Sequence, residues 1–112
     1  MSQFDSEKIH ADLSGKTQSE LRFGEYDRLL WSTDASMFKI EPAGVVLAKS
    51  TEDVVAVVKY CHENQIPVTV RGAGTGLAGG AINKGVIVDV TKHMNQILEV
   101  NADENWVRVQ PG

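Results

Sequence analysis

The stretch that most constrains this chain is PVTVRGAGTGLAGGAINKGVIVDVT, residues 67–91, in which five glycines fall within the nine positions 72–80. The loop is bounded by two short apolar runs, Val68–Arg71 and Val86–Val90. Both runs are rich in β-branched residues and read as buried-type strands. The fold must therefore deliver strand, glycine loop and strand in direct succession.

Within the loop, Gly74-Thr75-Gly76-Leu77-Ala78-Gly79 fits G-x-G-x-x-G. A doubly wound dinucleotide site needs that motif to open a helix, on whose N-terminus the pyrophosphate rests. Here Asn83 and Gly85 break any helix and a strand begins at once. The acidic residues about 20 positions on, where a ribose partner belongs, fall in LEVNADEN, a hairpin-like stretch. A Walker A loop fails too, because no Gly-Lys-Ser/Thr follows. A strand-loop-strand cradle survives. Without Cβ atoms, successive backbone N–H groups can turn to one side and a phosphate can approach closely, with Thr75 adding a hydroxyl donor. The bland alternative is a flexible turn. Five glycines would be an entropically wasteful way to join two core strands, which favours the ligand.

The rest of the chain fills in an α+β frame. Residues 1 to about 28 are rich in helix formers, with Ile9 and Leu13 four apart and Gly24 as a break or cap. WSTDASMFKIEPAG reads as an extended connection, since Pro42 discourages helix at Glu41. Val45–Ala48 is a short strand. Ser50 then caps a helix over 51–64, with Asp53 forming a weak capping box and Val54, Val57, Val58 and Cys61 on one face. Strand, helix and strand in close succession predict a right-handed βαβ unit with parallel strands. QILEV and NWVRVQ predict a hairpin joined at NADEN. The chain divides into a helical and extended segment, 1–40, and a lobe, 41–112, that stops directly after a strand. That stop suggests a domain truncated at its C-terminus, with a sheet edge or apolar face left open.

Composition excludes several classes. The 112 residues carry a formal net charge of -4 and no basic stripe, so no nucleic-acid partner is expected. The single cysteine, Cys61, permits no intrachain disulfide and falls on the apolar helix face, as a small core residue would. No signal-peptide core or membrane-length apolar run is present, so a cytoplasmic location is expected. Peripheral attachment of a longer parent to the inner membrane stays open. His10, His62 and His93 show no metal-ligand spacing. Asp34 and Ser36 read as a turn or cap at the entry to the first strand, and Asp89 as a tie to nearby backbone. Arg71 has two even readings, a counter-charge for phosphate or an ion-pair partner. No residue is placed for acid–base catalysis.

Taken together, WSTDAS, EPAGVVLAKSTEDVVAVV, PVTVRGAGTGLAGGA, GVIVDVTKHMNQI and VRVQPG resemble the FAD-linked oxidases of the vanillyl-alcohol oxidase and p-cresol methylhydroxylase type. The closest similarity is to the D-lactate dehydrogenase and glycolate oxidase flavin-subunit branch. The motifs run in the family's order from about residue 26 to the last residue. The resemblance implies the first lobe of a PCMH-type FAD-binding domain, with the pyrophosphate cradled by Gly72, Ala73, Gly74, Thr75 and Gly76 and closed by Gly80 and Ala81. Some relatives carry a histidine in this loop that bonds covalently to flavin. Thr75 stands at that position here, so non-covalent FAD is implied. The parent would oxidise a small 2-hydroxy acid to the 2-oxo acid. The isolated chain is expected to be inactive, to bind FAD weakly or stand empty, and to self-associate. The rival reading is a non-enzymatic nucleotide-binding module.

Overall fold

The computed structural model describes residues 4–112, so the first three residues of the 1–40 segment lie outside it. In chain order the elements are α1 (Ser6–Ser14), β1 (Glu20–Arg22), α2 (Glu25–Leu30), β2 (Gly44–Leu47), α3 (Thr51–Glu63), β3 (Val68–Arg71), β4 (Val86–Asp89), β5 (Ile97–Asn101) and β6 (Trp106–Val109). Four strands form a mixed sheet in the order β1-β2-β4-β3, and β5 and β6 form a separate antiparallel ribbon. No helix among the described residues is long and apolar enough to cross a membrane.

The continuous apolar runs explain the centre of the sheet. Every residue of β2 and β4 is buried, as expected of parallel strands covered on both faces. β2 and β3 run parallel, as the strand-helix-strand pattern predicts, and β4 lies between them, parallel to both. The ladder extends past the named strands through the amides of Ala48, bonded to the Asp89 carbonyl at 3.2 Å, and Val90, bonded to the Arg71 carbonyl at 3.1 Å. The entry to β4 needs a glycine for space. A Cβ on Gly85 would lie 2.1 Å from the Pro67 carbonyl oxygen.

The helices follow local signals. Asp5 caps α1, its carboxylate accepting from the Lys8 amide at 3.1 Å, and Ile9 and Leu13 face the core. Gly24 is the N-cap of α2. Ser50 caps α3 by accepting from the Asp53 amide at 3.2 Å. The return half of the capping box is missing, because the Asp53 carboxylate accepts instead from the amides of Lys49 (3.0 Å) and Gln18 (3.0 Å) and the Thr17 hydroxyl (2.9 Å). That engagement turns α3 so that Asp53, Val57, Tyr60 and Cys61 are buried. Val58, expected on the buried face, is 43% exposed. Burial raises the Cys61 thiol to about 11, consistent with an inert core residue.

Two other expectations change. Glu20–Arg22, set among helix formers, is a strand that pairs antiparallel with β2 from Glu20↔Leu47 to Arg22↔Val45. Helix propensity is worth only tenths of a kcal/mol per residue, about 0.7 at most for ordinary residues. The open edge of β2 and the Asp53 carboxylate outweigh it. The segment after α2 is not extended. It folds back through an isolated bridge between Thr33 and Lys39. The NADEN hairpin forms, with a bulge between Ile97 and Glu99.

β1 is also latched to the turn after β4. Glu20 accepts from Lys92 Nζ at 2.7 Å, approaches His93 Nε2 at 2.7 Å and accepts from Arg22 Nη2 at 3.1 Å. The Lys92 contact first, then those of His93 and Arg22, hold the Glu20 carboxyl at about 2, below its ordinary 4.5. A carboxylate depressed in the folded state stabilises the fold above its unfolded value and loses that contribution as pH falls through its folded value. The stability advantage of wild type over Glu20→Gln should therefore be full above 4.5 and shrink steadily towards about 2. Denaturant titrations of both proteins across that window measure it, and a constant difference would contradict the latch.

Candidate functional site

The loop from Gly72 to Ala81 leaves the carboxyl end of β3 and returns to β4 without forming a helix. Its glycines divide by role. Gly74 has φ 71° and Gly79 has φ 80°, the left-handed region that side chains resist. Gly72, Gly76 and Gly80 face open space, with nothing within 4 Å of where a Cβ would stand. Among the described residues, none of the nine backbone N–H groups from Gly72 to Gly80 donates a hydrogen bond within the protein. Thr75 is exposed, as are Ala73 and Leu77. The structure thus gathers Gly72, Ala73, Gly74, Thr75, Gly76, Gly80 and Ala81 in one loop rich in uncommitted donors. Such a set suits an anion with several acceptor oxygens.

The loop is held from outside. Arg71 Nη1 donates to the Thr33 carbonyl at 2.8 Å and the Ala81 carbonyl at 3.3 Å. Asp34 Oδ2 accepts from the Ala81 amide at 3.3 Å, and the Ala35 amide donates to the Gly74 carbonyl at 2.8 Å. Asp34 Oδ1 in turn accepts from the Ser36 amide at 2.9 Å and from the Ser36 hydroxyl. The Ser36 hydroxyl holds the Asp34 carboxyl below the usual carboxylate range, helped by the amides of Ser36 and Ala81 and the charge of Arg71. Phe38 lies against the loop's exit, with its ring 3.0 Å from a Cβ built on Gly79.

These contacts revise two sequence readings. Asp34 and Ser36 do form a turn, but it braces the glycine loop rather than the entry to β2. Arg71 binds carbonyls and forms no ion pair within 4.0 Å among the described residues. Asp89 ties down backbone as read, accepting from the Thr91 amide at 2.8 Å, and it also accepts from Trp31 Nε1 at 2.8 Å. The bracing was missed because Asp34 and Ala81 are 47 residues apart, and only the Asx-turn chemistry of TDAS signalled structure there. Of the histidines, His10 stacks on Phe23 and His93 bonds to Glu20. No cluster of potential metal ligands occurs among the described residues.

Comparison with known proteins follows the same stretch. The family described as FAD binding domain matches residues 42–112. The chain is 44% identical over 89 residues to D-2-hydroxyglutarate dehydrogenase of Escherichia coli K12, covering 77% of this chain and 9% of that protein. It is 50% identical over 76 residues to D-lactate dehydrogenase of Anaerostipes hadrus, covering 66% of this chain and 16% of that protein. It is 44% identical over 79 residues to glycolate oxidase subunit GlcD of Escherichia coli K12, covering 69% and 16%. Among solved structures, an alkyldihydroxyacetonephosphate synthase superposes with a TM-score of 0.72 at 22% identity, over 88% of this chain and 21% of that one. The chain thus shares the fold of the matching part of that synthase, and it spans less than a fifth of each curated relative named here.

Gly74 is where the loop's backbone is most demanding. A Cβ there would stand 2.5 Å from Arg71 Nη2, in a backbone conformation already unfavourable to it. Gly74→Ala should destabilise the fold by about 1–2 kcal/mol, the left-handed penalty alone. Gly76→Ala, in open space, should stay within about 0.5 kcal/mol of wild type. Urea unfolding of the two variants checks the contrast, and equal midpoints would contradict it.

Proposed function

The chain belongs to the FAD binding domain family, and from that premise we propose that its Gly72–Ala81 loop holds the pyrophosphate of a non-covalently bound FAD. The parent protein would be a flavin-dependent oxidoreductase that oxidises a small 2-hydroxy acid, of the D-lactate or glycolate type, to the 2-oxo acid. One observation carries the cofactor assignment: nine consecutive backbone donors without partners among the described residues, on a loop whose outer glycines are open. The substrate class rests on the three named relatives, which bear D-2-hydroxyglutarate, D-lactate and glycolate in their names.

In this reading the backbone N–H groups donate to phosphate oxygens, and the Thr75 hydroxyl adds a donor. The small side chains of Ala73 and Ala81 keep the approach clear. Arg71 lends positive charge through Nε and Nη2, while its Nη1 stays on the carbonyls. When bound, the flavin supplies the two-electron acceptor for oxidation at a hydroxyl-bearing carbon. This chain contributes binding and orientation. The ionisable groups beside the loop, Asp34 and Arg71, are engaged with backbone, so we assign it no catalytic residue. We read the isolated chain as inactive, and its hold on FAD as weak. A pyrophosphate contact alone must offset an association cost of at least about 4 kcal/mol.

Titration of FAD into the full-length protein that carries this chain, followed by fluorescence or calorimetry, tests the loop. Gly74→Val and Gly76→Val should each abolish measurable binding while circular dichroism reports an intact fold. A branched side chain resists positive φ at the first position and blocks close approach at the second. Unchanged affinity in both variants would overturn the assignment.

A second consequence concerns the ribbon. Ile97, Val100, Val107 and Val109 are each more than half exposed on β5 and β6, and in-register pairing puts Val100 beside Val107 and Ile97 beside Val109. We propose that the isolated chain self-associates through this apolar face. Sedimentation should show mass rising with concentration, and Val107→Lys should suppress it. A monomer throughout the micromolar range would contradict it.

A further inference from the structure

We propose that Arg71 and Asp34 act as a pair of positioning residues that set the glycine loop in its anion-binding shape by holding Ala81 through both its amide and its carbonyl, the two peptides that flank its Cα. The inference rests on the pyrophosphate reading above and deepens it.

The geometry is a bracket. Residues 33–36 touch the loop at three places: its entry, its third residue and its exit. At the entry, the Thr33 carbonyl accepts from Arg71 Nη1 at 2.8 Å. At the third residue, the Ala35 amide donates to the Gly74 carbonyl at 2.8 Å. At the exit, the Ala81 amide donates to Asp34 Oδ2 and its carbonyl accepts from Arg71 Nη1, both at 3.3 Å. The bracket is itself fixed. Trp31, two residues before Thr33, donates from Nε1 to Asp89 at 2.8 Å, and Asp89 is the register partner of Arg71 across β4 and β3.

Charge makes the pair informative. A carboxylate beside an anion-binding loop has the wrong sign and would by itself weaken anion binding. Its presence is explained if its return is geometric and Arg71 offsets the charge. Arginine suits the other half because both carbonyls are reached from one nitrogen, Nη1, whose two N–H bonds are held in the plane of the guanidinium, whereas a lysine ammonium turns freely on a flexible stem. A loop with five glycines has many conformations to lose, and a bracket that removes them before binding improves affinity without touching the ligand.

The test compares Arg71→Gln, Arg71→Lys, Asp34→Ala, the Asp34→Ala/Arg71→Gln double variant and Gly76→Val in the full-length protein. Each is titrated with FAD and followed by amide hydrogen exchange without ligand. Arg71→Gln and Asp34→Ala should each weaken FAD binding at least about tenfold. The double variant should lose little more than the worse single one, since both break one bracket. Arg71→Lys should rescue little, although it keeps the charge. Exchange should accelerate at Ala35 and Ala81 and stay slow along β4. Full rescue by lysine, additive losses, or faster exchange spread through the sheet would overturn the pair as positioning residues. If Gly76→Val abolishes binding while the Arg71 and Asp34 variants keep it, this inference alone fails. If Gly76→Val also binds FAD normally, the loop assignment itself has failed and this inference with it.

Discussion

The rest of the structure hangs on β4. Every residue of Val86–Asp89 is buried, and the strand pairs in parallel with β2 on one side and β3 on the other. A strand covered on both faces and paired on both edges resists slippage, because a one-residue shift would break both ladders and move every side chain to the opposite packed face. That fixed register places Asp89 level with Leu47 and Arg71. The carboxyl ends of three parallel strands therefore meet where the glycine loop leaves the sheet. Open sheets containing parallel strands commonly present ligand sites outside those ends. Here the central buried strand determines where the loop starts, and Gly85 lets the chain come back tightly enough to make it.

From this geometry a division of labour follows. Apolar burial in β2, β4 and the inner faces of α1 and α3 fixes the frame. Short polar contacts, each worth about 0.5–1.5 kcal/mol net, decide how irregular segments lie on it. Asp53, Asp89 and Asp34 are three carboxylates that each accept from a distant segment: from Thr17 and Gln18, from the Trp31 indole, and from the Ala81 amide respectively. At Asp34 the donors, the Ser36 hydroxyl first, favour the ionised form, and at Asp53 they outweigh the burial that opposes it. The glycine loop, mostly exposed, does not bury itself for stability. It borrows order from such ties instead.

What was legible in the sequence tracks the range of the interactions involved. The strands around the glycine loop and the helix begun at Ser50 were readable because apolar periodicity and capping are local. The failure of the G-x-G-x-x-G motif in its context was readable for the same reason. Asn83 and Gly85 sit next to the motif they disqualify. β1 was not readable, since Glu20–Arg22 becomes a strand only because β2 offers it an edge. Val58 was misplaced because the rotation of α3 depends on Asp53 reaching Gln18 and Thr17, more than thirty residues away. The bracing of the loop by residues 33–36 belongs to the same class. TDAS announces a turn, but nothing nearby says that Ala81 is its partner.

The charge balance of the chain sharpens the contrast between backbone and side-chain recognition. With a formal net charge of -4, the long-range field of this chain opposes an approaching polyanion. A site built from lysines and arginines would have to overcome that field and would weaken steeply with salt. A site built from neutral N–H dipoles gains its attraction only at contact, where direction matters more than net charge. Such a site depends less on ionic strength and more on the orientation of each peptide. On the proposed reading, that dependence is why the loop needs glycines to reach its shape and fixed neighbours to keep it. It also fits an aspartate at the loop's exit: Asp34 lies at the rim, bonded to the Ala81 amide, while the nine N–H groups from Gly72 to Gly80 have no partner among the described residues.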